Sequence, residues 1–263
     1  MADLVGRGDI ITWDTACLMI GRALAPTPMH SHYAIQIAFG KRSGIRFRAD
    51  DRDPWTEYHA AIIASRQPHT MDASHVEYNA ILFVEPETRE GRILTERYLD
   101  AGIVELPSQS LAGADAALFA EWLNTGDVVA TKSAAERLIR QLTGGVGPAI
   151  VSDERILRAV AYIKSHLNGP LTLEQVAAEA CLSPSRFRHL FVEQTGTALR
   201  PYLLWRRFLR AWELVTRGES LSTAAHEAGF ADAAHLTRTS RRMFGFAPSA
   251  LQVNVSKSGS HHP

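Results

Sequence analysis

Short apolar segments alternate with turn-forming residues over roughly the first hundred positions of the chain. Ala34–Phe39, Ala60–Ala64 and Ala80–Val84 are compact apolar runs with Gly, Pro, Asp, Asn or Arg nearby. Runs of this length with such boundaries are typical of strands in a small sandwich or barrel. The pattern therefore predicts a β-barrel that extends to about residue 106.

The period of the apolar positions changes after Pro107. Residues 115–124 place Leu118 and Trp122 four apart, and residues 133–143 place Ala134, Leu138 and Leu142 on one stripe, so both segments are predicted helices. Residues 144–150 then contain three glycines and a proline, which favours a linker. We place the domain boundary there, between a first domain of residues 1–143 and a second of residues 151–251.

The remaining sequence has helical periodicity up to a polar tail, residues 252–263, which we expect to be disordered. Residues 171–195 match a helix-turn-helix, with Ala177, Cys181 and Phe187 at spacing i, i+4, i+10. Ser183 is the expected cap of the second helix, which would run from Pro184 to Thr195. Its outward face would carry four side chains suited to bases and phosphates: Ser185, Arg186, Arg188 and His189.

The same pattern recurs at residues 221–245. Ala225 and Gly229 repeat the i, i+4 pair, and Asp232 is the expected cap of a helix over 233–244. The predicted outward face of that helix offers His235, Arg238, Arg241 and Arg242. A single continuous helix over 201–217 would join the two copies.

The last hundred residues resemble the DNA-binding domain of the AraC/XylS family of bacterial transcription regulators. The residues that carry the resemblance are Leu173, Ala177, Leu182, Ser183, Phe187, Leu190, Phe191, Gly196, Pro201, Ala224, Ala225, Gly229, Phe230, Leu236, Arg238, Gly245 and Pro248. The resemblance implies two helix-turn-helix subdomains on one long helix, each placing a recognition helix in the major groove of DNA. It also implies DNA-contacting positions at Ser185, Arg188, His189, Ala234, His235 and Arg238.

Some positions depart from the family pattern. Ala233 and Ala234 are small where polar residues are usual, Ser240 replaces an inward Phe, and Leu251 and Gln252 replace an aromatic-Arg pair. We therefore expect a looser second subdomain and a specificity that rests more on the first recognition helix.

A histidine pattern in the first domain resembles the cupin signature. His30 and His32 are two apart, Gln36 keeps the same strand parity in place of the usual acid, and His69 precedes a later predicted strand. Three interpretations stay open for this set: contacts to a small effector, a metal site of His30, His32 and His69, or structural histidines. Ile35, Ile37 and Phe39 have the opposite parity, and the resemblance favours the histidine parity for the barrel interior.

Charge and composition agree with a DNA-binding second domain. Residues 1–152 carry 14 Lys and Arg against 19 Asp and Glu, whereas residues 153–251 carry 13 against 9. Two widely separated cysteines, no signal peptide and no long apolar run favour a cytoplasmic protein that does not enter a membrane. The predicted fold is an N-terminal all-β, cupin-like barrel with two following helices, and a C-terminal all-α domain.

Together these features predict a transcription regulator and not an enzyme, with no cofactor. Its expected partners are double-stranded promoter DNA, a small-molecule effector, RNA polymerase if it activates, and a second copy of the chain. The homodimer would form through helices within 115–143, with Leu118, Trp122, Leu138 and Leu142 as interface candidates; packing on the barrel explains the same stripes equally well. Two alternatives stay open: a cupin-type metal-dependent enzyme with an accessory DNA-binding domain, and a regulator without an effector.

Overall fold

The computed structural model describes residues 4–100, 102–145 and 153–254. The first part of the chain is rich in sheet, and the second part is helical. In chain order, the elements of the first part are β1 (Gly6–Thr12), β2 (Ala16–Ala23), β3 (Ile35–Gly40), β4 (Ile45–Arg48), β5 (Thr56–Tyr58), β6 (Ala60–Ile63), β7 (Thr70–Asp72), β8 (Asn79–Val84), α1 (Arg89–Tyr98), β9 (Ile103–Glu105), α2 (Ser108–Leu111), α3 (Ala114–Thr125) and α4 (Val128–Leu142).

The described strands form two open sheets. The larger has the order β10-β1-β2-β8-β3-β6-β9, where β10 (Leu251–Val253) comes from the second part of the chain, and the smaller has the order β5-β4-β7. A closed cupin-like barrel is therefore not confirmed. The all-β description also misses α1, which the Thr88 side chain caps by accepting the N–H of Gly91.

The two faces of β3 separate two cores. Ile35, Ile37 and Phe39 pack with the buried residues of α3 and α4, whereas Gln36 and Ala38 lie on the other face, as strand alternation requires. That second face meets the small sheet through residues such as Phe47 and Met71. Gln36 thus faces the space between the two sheets, whereas His30 and His32 precede β3 and do not lie on it.

Helices α3 and α4 cover the outside of the large sheet. Leu118, Leu138 and Leu142 are fully buried there, and Trp122 packs on Tyr78 and donates from Nε1 to Asp9 at 2.6 Å. Leu118, Leu138 and Leu142 are therefore not accessible to a second subunit, whereas Trp122 is half-buried. An amphipathic stripe has the same period whether it covers a sheet or another subunit, so the sequence could not distinguish the two.

The second part of the chain contains α5 (Glu154–Ser165), α6 (Leu173–Glu179), α7 (Pro184–Thr195), α8 (Leu199–Thr216), α9 (Leu221–Glu227) and α10 (Ala233–Phe244). It ends in β10 (Leu251–Val253), which pairs in parallel with β1 of the first part. Gln252 and Val253, expected in a disordered tail, are instead sheet residues, because the edge of β1 offers them backbone partners. Residues 255–263 of that tail, and residues 146–150 of the predicted linker, lie outside the described residues.

The described residues include two free cysteines and no helix that could span a membrane. Cys17 is buried and Cys181 is exposed, and both are free thiols. Among the helices described here, none combines the length and the apolar composition needed to span a bilayer.

An apolar contact joins the two parts of the chain. Trp205 and Phe208 of α8 and Phe244 of α10 are buried, and their rings stack at centroid distances of 6.3 Å (Trp205–Phe244) and 4.6 Å (Phe208–Phe244). Phe83 of β8 meets Phe244 edge to face at 5.3 Å. The helical part is therefore packed on the open face of the larger sheet, next to the histidines.

A buried ion pair lies beside this aromatic cluster. Arg206 Nη1 donates to Glu85 Oε1 at 2.7 Å, and the two side chains are only 10% and 3% exposed. Glu85 Oε1 also accepts from Trp205 Nε1 at 2.9 Å, and Arg206 donates to the carbonyl of Asp14 at 2.8 Å. These extra bonds compensate part of the cost of removing two charges from water.

A second carboxylate at the same boundary is also buried. Tyr33 donates from its hydroxyl to Glu87 at 2.6 Å and lies 3.0 Å from the carbonyl of Thr195, at the end of α7. Burial, together with the neighbouring Glu85, raises the pKa of Glu87 well above its ordinary value. The Glu87 carboxyl group, at the boundary between the two parts, is therefore protonated more easily than an exposed glutamate.

The buried pair predicts a large loss of stability when one partner is removed. Replacing Arg206 by Met leaves Glu85 buried without its counter-charge, which costs about 3–5 kcal/mol in the free energy of unfolding. Urea denaturation followed by tryptophan fluorescence measures it. The matched control is Arg210→Met on the same helix, whose ion pair with Glu213 is about one-third exposed and is worth about 1 kcal/mol or less. Equal losses for the two variants would contradict a structural role for the buried pair.

Candidate functional site

The first helix-turn-helix unit is formed by α6 and α7, and its own residues define where each helix begins. Thr172 Oγ1 accepts the N–H of Gln175 at 3.2 Å, and Gln175 Oε1 accepts the N–H of Thr172 at 2.9 Å. Ser183 Oγ accepts the N–H of Arg186 at 3.3 Å, and Gly196 ends α7 with a φ of +69°. The predicted bounds of α7, Pro184 to Thr195, are confirmed because these caps act locally.

The turn of each unit needs a left-handed residue. Cys181 fills this position in the first unit with a φ of +53°, and Gly229 fills it in the second with a φ of +82°. A Cβ atom on Gly229 would overlap the carbonyl oxygen of Leu167. The second unit therefore requires glycine, both for the backbone conformation and for the close approach of the segment after α5.

The outward face of α7 carries the predicted DNA-contacting residues. Phe187 and Phe191 are buried, whereas four side chains are exposed: Ser185, Arg186, Arg188 and His189. The arginines of this helix form no ion pair with another described residue. Their guanidinium groups are thus available to an external anion.

The second unit presents a similar face on α10, which Asp232 caps by accepting the N–H of His235 at 2.6 Å. Leu236, Met243 and Phe244 point inward, and the exposed residues are Ala234, Arg238, Arg241 and Arg242. His235 is half-buried, with its ring 5.2 Å from that of Phe230. Among the predicted contact residues of α10, His235 therefore differs in that part of its ring packs against the protein itself.

The family departures do not leave the end of the second unit unpaired. The Ser240 hydroxyl is buried and donates to the carbonyl of Phe246 at 2.7 Å. Leu251 and Gln252 pair with Gly6 and Arg7 of β1. Ser240 is thus held within its own unit, and Leu251 and Gln252 are held by the first part of the chain, which is not the loose arrangement that the departures predict.

Helix α8 joins the two units and forms the floor of a groove between α7 and α10. The groove has a volume of about 790 Å³, an apolar floor that includes Leu199, Leu203 and Leu204, and no acidic lining residue among those described. The cationic or titratable side chains around it are Arg188, Arg200, Arg207, His235, Arg238 and Arg242. A groove with basic walls and a rigid floor is suited to a polyanion.

A smaller cavity of about 470 Å³ lies where the two parts of the chain meet. His32, Tyr33 and Arg66 line it from the first part, and Arg200 and Arg242 line it from the second. Arg66 has a left-handed backbone with a φ of +63°, and its guanidinium donates to Thr197 across the boundary. Sequence reasoning missed Arg66 and Arg200, since nothing in their local patterns indicates that they converge.

The predicted histidine set is brought together beside this cavity. His30, His32 and His69 are buried, and one ring nitrogen of each lies within 4.8 Å of the others. Gln36 is also buried, with Oε1 2.8 Å from His32 Nε2. Of these four residues, only His32 lines the cavity, so the set does not form one open effector pocket.

Burial keeps the three imidazoles neutral. It lowers the pKa of His30 to about 4, lowers that of His32, and lowers that of His69 well below the ordinary value. Each ring therefore keeps one nitrogen lone pair at neutral pH, which is the form that binds metals or accepts a hydrogen bond.

The chain matches a family model described as "Helix-turn-helix domain" over residues 176–253. It is 33% identical over 110 residues to the arabinose operon regulatory protein of Escherichia coli, covering 40% of this chain and 37% of that protein. It is 29% identical over 112 residues to the regulatory protein PocR of Salmonella typhimurium, covering 42% and 37%. The alignments thus span little more than a third of these relatives' length.

The fold is also similar to that of a solved structure. The crystal structure of ToxT from Vibrio cholerae superposes with a TM-score of 0.55 at 10% identity, covering 89% of this chain and 95% of that one. This likeness shows a shared two-domain fold, with a sheet-rich first domain and a helical second domain. The two capped helix-turn-helix units and the helix that connects them lie almost wholly within the residues that match the helix-turn-helix model.

Proposed function

We propose that this protein is a sequence-specific DNA-binding transcription regulator. The observation that carries the proposal is the pair of outward basic helices, α7 and α10, on the two sides of an acid-free groove. Helix α8 has 18 residues and is about 27 Å long at 1.5 Å per residue. A spacer of that length suits two recognition helices in successive major-groove segments, about 34 Å apart.

The two recognition helices are proposed to have different shares in specificity. On α7, Ser185, Arg188 and His189 are free to reach base edges, with Arg186 beside them for phosphates. On α10, Ala234 offers no polar group and His235 is half-buried, which leaves Arg238, Arg241 and Arg242 for the DNA backbone. Base readout would then rest mainly on α7.

We further propose that a small organic acid controls the protein from the cavity between its domains. Three guanidinium groups, from Arg66, Arg200 and Arg242, line this cavity together with apolar residues such as Leu204 and Met243. Related ToxT crystal structures are described as bound to an unsaturated fatty acid and to a naphthalenyl butenoic acid. Both ligands are carboxylic acids with apolar bodies, which is the chemistry that this lining would accept.

The cavity and the DNA groove share residues, and this sharing would provide the control. Arg200, Leu204 and Arg242 line both. A carboxylate that pairs with Arg242 and Arg66 would hold the second domain on the first and withdraw charge from DNA. The acid would then bind the DNA-free arrangement more tightly, and DNA would weaken its binding by the same factor.

Other features of the proposal rest on the family resemblance. The relatives found are transcription regulators, so we propose regulation and not catalysis. A cupin-like origin of the first domain, action in the cytoplasm, a homodimer, and contact with RNA polymerase during activation are parts of the same proposal. Exposed Leu123, Val128 and Val129, at the turn between α3 and α4, replace the buried leucines as candidates for the dimer contact.

Substitutions on the two recognition helices test the division of roles. Against a site selected from random-sequence DNA, Arg188→Ala should cost about 1–3 kcal/mol, with little change on scrambled DNA. Arg238→Ala should weaken both DNAs alike and lower the salt slope by about one. Fluorescence anisotropy over a salt series measures both, with exposed Arg89→Ala in the first domain as the control. If Arg188→Ala weakened binding to both DNAs equally, base readout by α7 would be rejected.

Cavity control predicts a carboxylate-dependent stabilisation. An unsaturated fatty acid of 16 carbons at 100 times its dissociation constant should stabilise the native protein by about 2.7 kcal/mol in a thermal denaturation assay. Arg66→Ala should remove most of that effect, and Arg89→Ala should not. The matching fatty alcohol, which lacks the carboxylate, is the ligand control. A fatty acid effect that survives in Arg66→Ala, or that the alcohol reproduces, would exclude this cavity as the acid site.

A further inference from the structure

The histidine cluster behind the cavity is built by a backbone contact between distant segments. His30 and His69 form an isolated antiparallel bridge, in which His30 N–H donates to the His69 carbonyl at 3.1 Å and His69 N–H donates to the His30 carbonyl at 2.9 Å. Their rings are 4.3 Å apart, and the His32 ring is 5.2 Å from that of His69. Three imidazoles are thus held together at the interior edge of the first domain.

All three rings are oriented in the same way by main-chain carbonyls. Nδ1 of His30 lies 2.8 Å from the carbonyl of Pro28, Nδ1 of His32 lies 2.8 Å from that of Ala34, and Nδ1 of His69 lies 2.9 Å from that of Gln67. A carbonyl only accepts hydrogen bonds, so each Nδ1 carries the proton. Each Nε2 is therefore an unprotonated donor of a lone pair, which is the second-shell arrangement found around histidine ligands of metals.

Two of the Nε2 atoms lack the kind of partner that buried polar atoms normally have. His69 is fully buried, and its Nε2 has no hydrogen-bond partner among the described residues. His32 Nε2 faces Gln36 Oε1 at 2.8 Å, so two acceptors point at each other. Both observations leave electron pairs directed into one space, and a cation in that space would satisfy them.

We propose that His30, His32 and His69 bind one divalent transition-metal ion of the zinc type, with Gln36 Oε1 as the fourth ligand. Imidazole is a preferred ligand for zinc, copper, nickel and iron. The four donors also match the number of ligands around tetrahedral zinc. Bonds of 2.0–2.1 Å place tetrahedral ligands about 3.4 Å apart, so the rings close from 4.8 Å by small side-chain rotations. The site goes beyond the proposed control by an organic acid and differs from the expectation that the chain has no cofactor.

The metal would act on the contact between the domains through His32. The His32 ring packs on Phe83 at 4.9 Å and on Phe244 of α10 at 6.0 Å, and it also lines the cavity. A metal bond fixes this ring against the end of the second recognition helix. Metal binding is thus expected to raise the stability of the domain contact as well as that of the first domain.

Titration of the full-length, metal-stripped protein with Co²⁺ tests the site. The sequence ends in His261-His262-Pro263, so every protein used carries both His261→Ser and His262→Ser. The expected result is one Co²⁺ per chain with the visible absorption of a four-coordinate ion, displaced by Zn²⁺, and a higher melting temperature with Zn²⁺. His30→Gln and His69→Gln should each weaken binding at least about 100-fold, since even second-shell changes cost 10- to 100-fold.

Two further variants make the result specific. His75→Gln removes a histidine outside the cluster and should bind Co²⁺ as the unsubstituted protein does. Gln36→Glu replaces a neutral oxygen ligand by an anionic one and should tighten binding by roughly 10-fold. This gain is independent of any folding defect caused by the histidine substitutions, which circular dichroism would report.

Two outcomes would overturn the site. One is that the folded, metal-free protein binds neither Co²⁺ nor Zn²⁺ when the metal is present at 100 µM. A rotated Gln36 amide that donates to His32 Nε2 would then explain the contact between these two side chains. The other is unchanged affinity in both His30→Gln and His69→Gln. DNA binding by the metal-free protein is measured separately, so failure of the metal site leaves the proposed regulator function standing.

Discussion

The ion pair between Glu85 and Arg206 is the contact on which the arrangement of the two domains depends. Arg206 lies on α8, the same helix that separates the two helix-turn-helix units and forms the groove floor. A charge pair buried to this extent is stable only when both partners and their extra hydrogen bonds are in place. The contact therefore requires Glu85, Asp14 and Trp205 together, and it sets how α8 faces the sheet.

The docking of α8 gives several arginines two possible roles. Arg200 and Arg242 belong to the second domain, but they face Arg66 of the first domain across the cavity. Guanidinium groups that converge without a described carboxylate repel each other, and an anion between them removes that repulsion. DNA phosphate and a small organic acid are both such anions. Competition between them would connect ligand binding to promoter occupancy without a long-range pathway.

The histidine cluster shows how a sheet edge can build a site from weak sequence signals. The bridge between His30 and His69 fixes two rings on one face, and the carbonyls of Pro28, Ala34 and Gln67 fix the protonated nitrogens. The His32 ring lies beside Phe244, which belongs to α10. A ligand bound at this position would therefore lie next to both the first domain and α10.

The helical domain was predictable from local sequence patterns, because helix ends depend on neighbouring residues. Ser183 and Asp232 cap α7 and α10 through bonds to backbone groups three residues away, and the glycines that follow end both helices. The outward arginines follow from the same local period. The side of the strand on which Gln36 lies was also predictable, since alternation depends on nothing outside the strand.

The surfaces that those local patterns pack against were not predictable, because they depend on residues far away in the chain. Leu118 and Leu138 have the period of an interface, and it is the sheet that buries them. Glu85 and Arg206 are 121 residues apart, and Arg66 and Thr197 are 131 apart, so no local pattern relates them. Whether the three histidines converge depends likewise on the bridge between His30 and His69. Contacts of this kind form between surfaces that are far apart in the sequence. A sequence pattern does not reveal them, because it depends only on neighbouring residues.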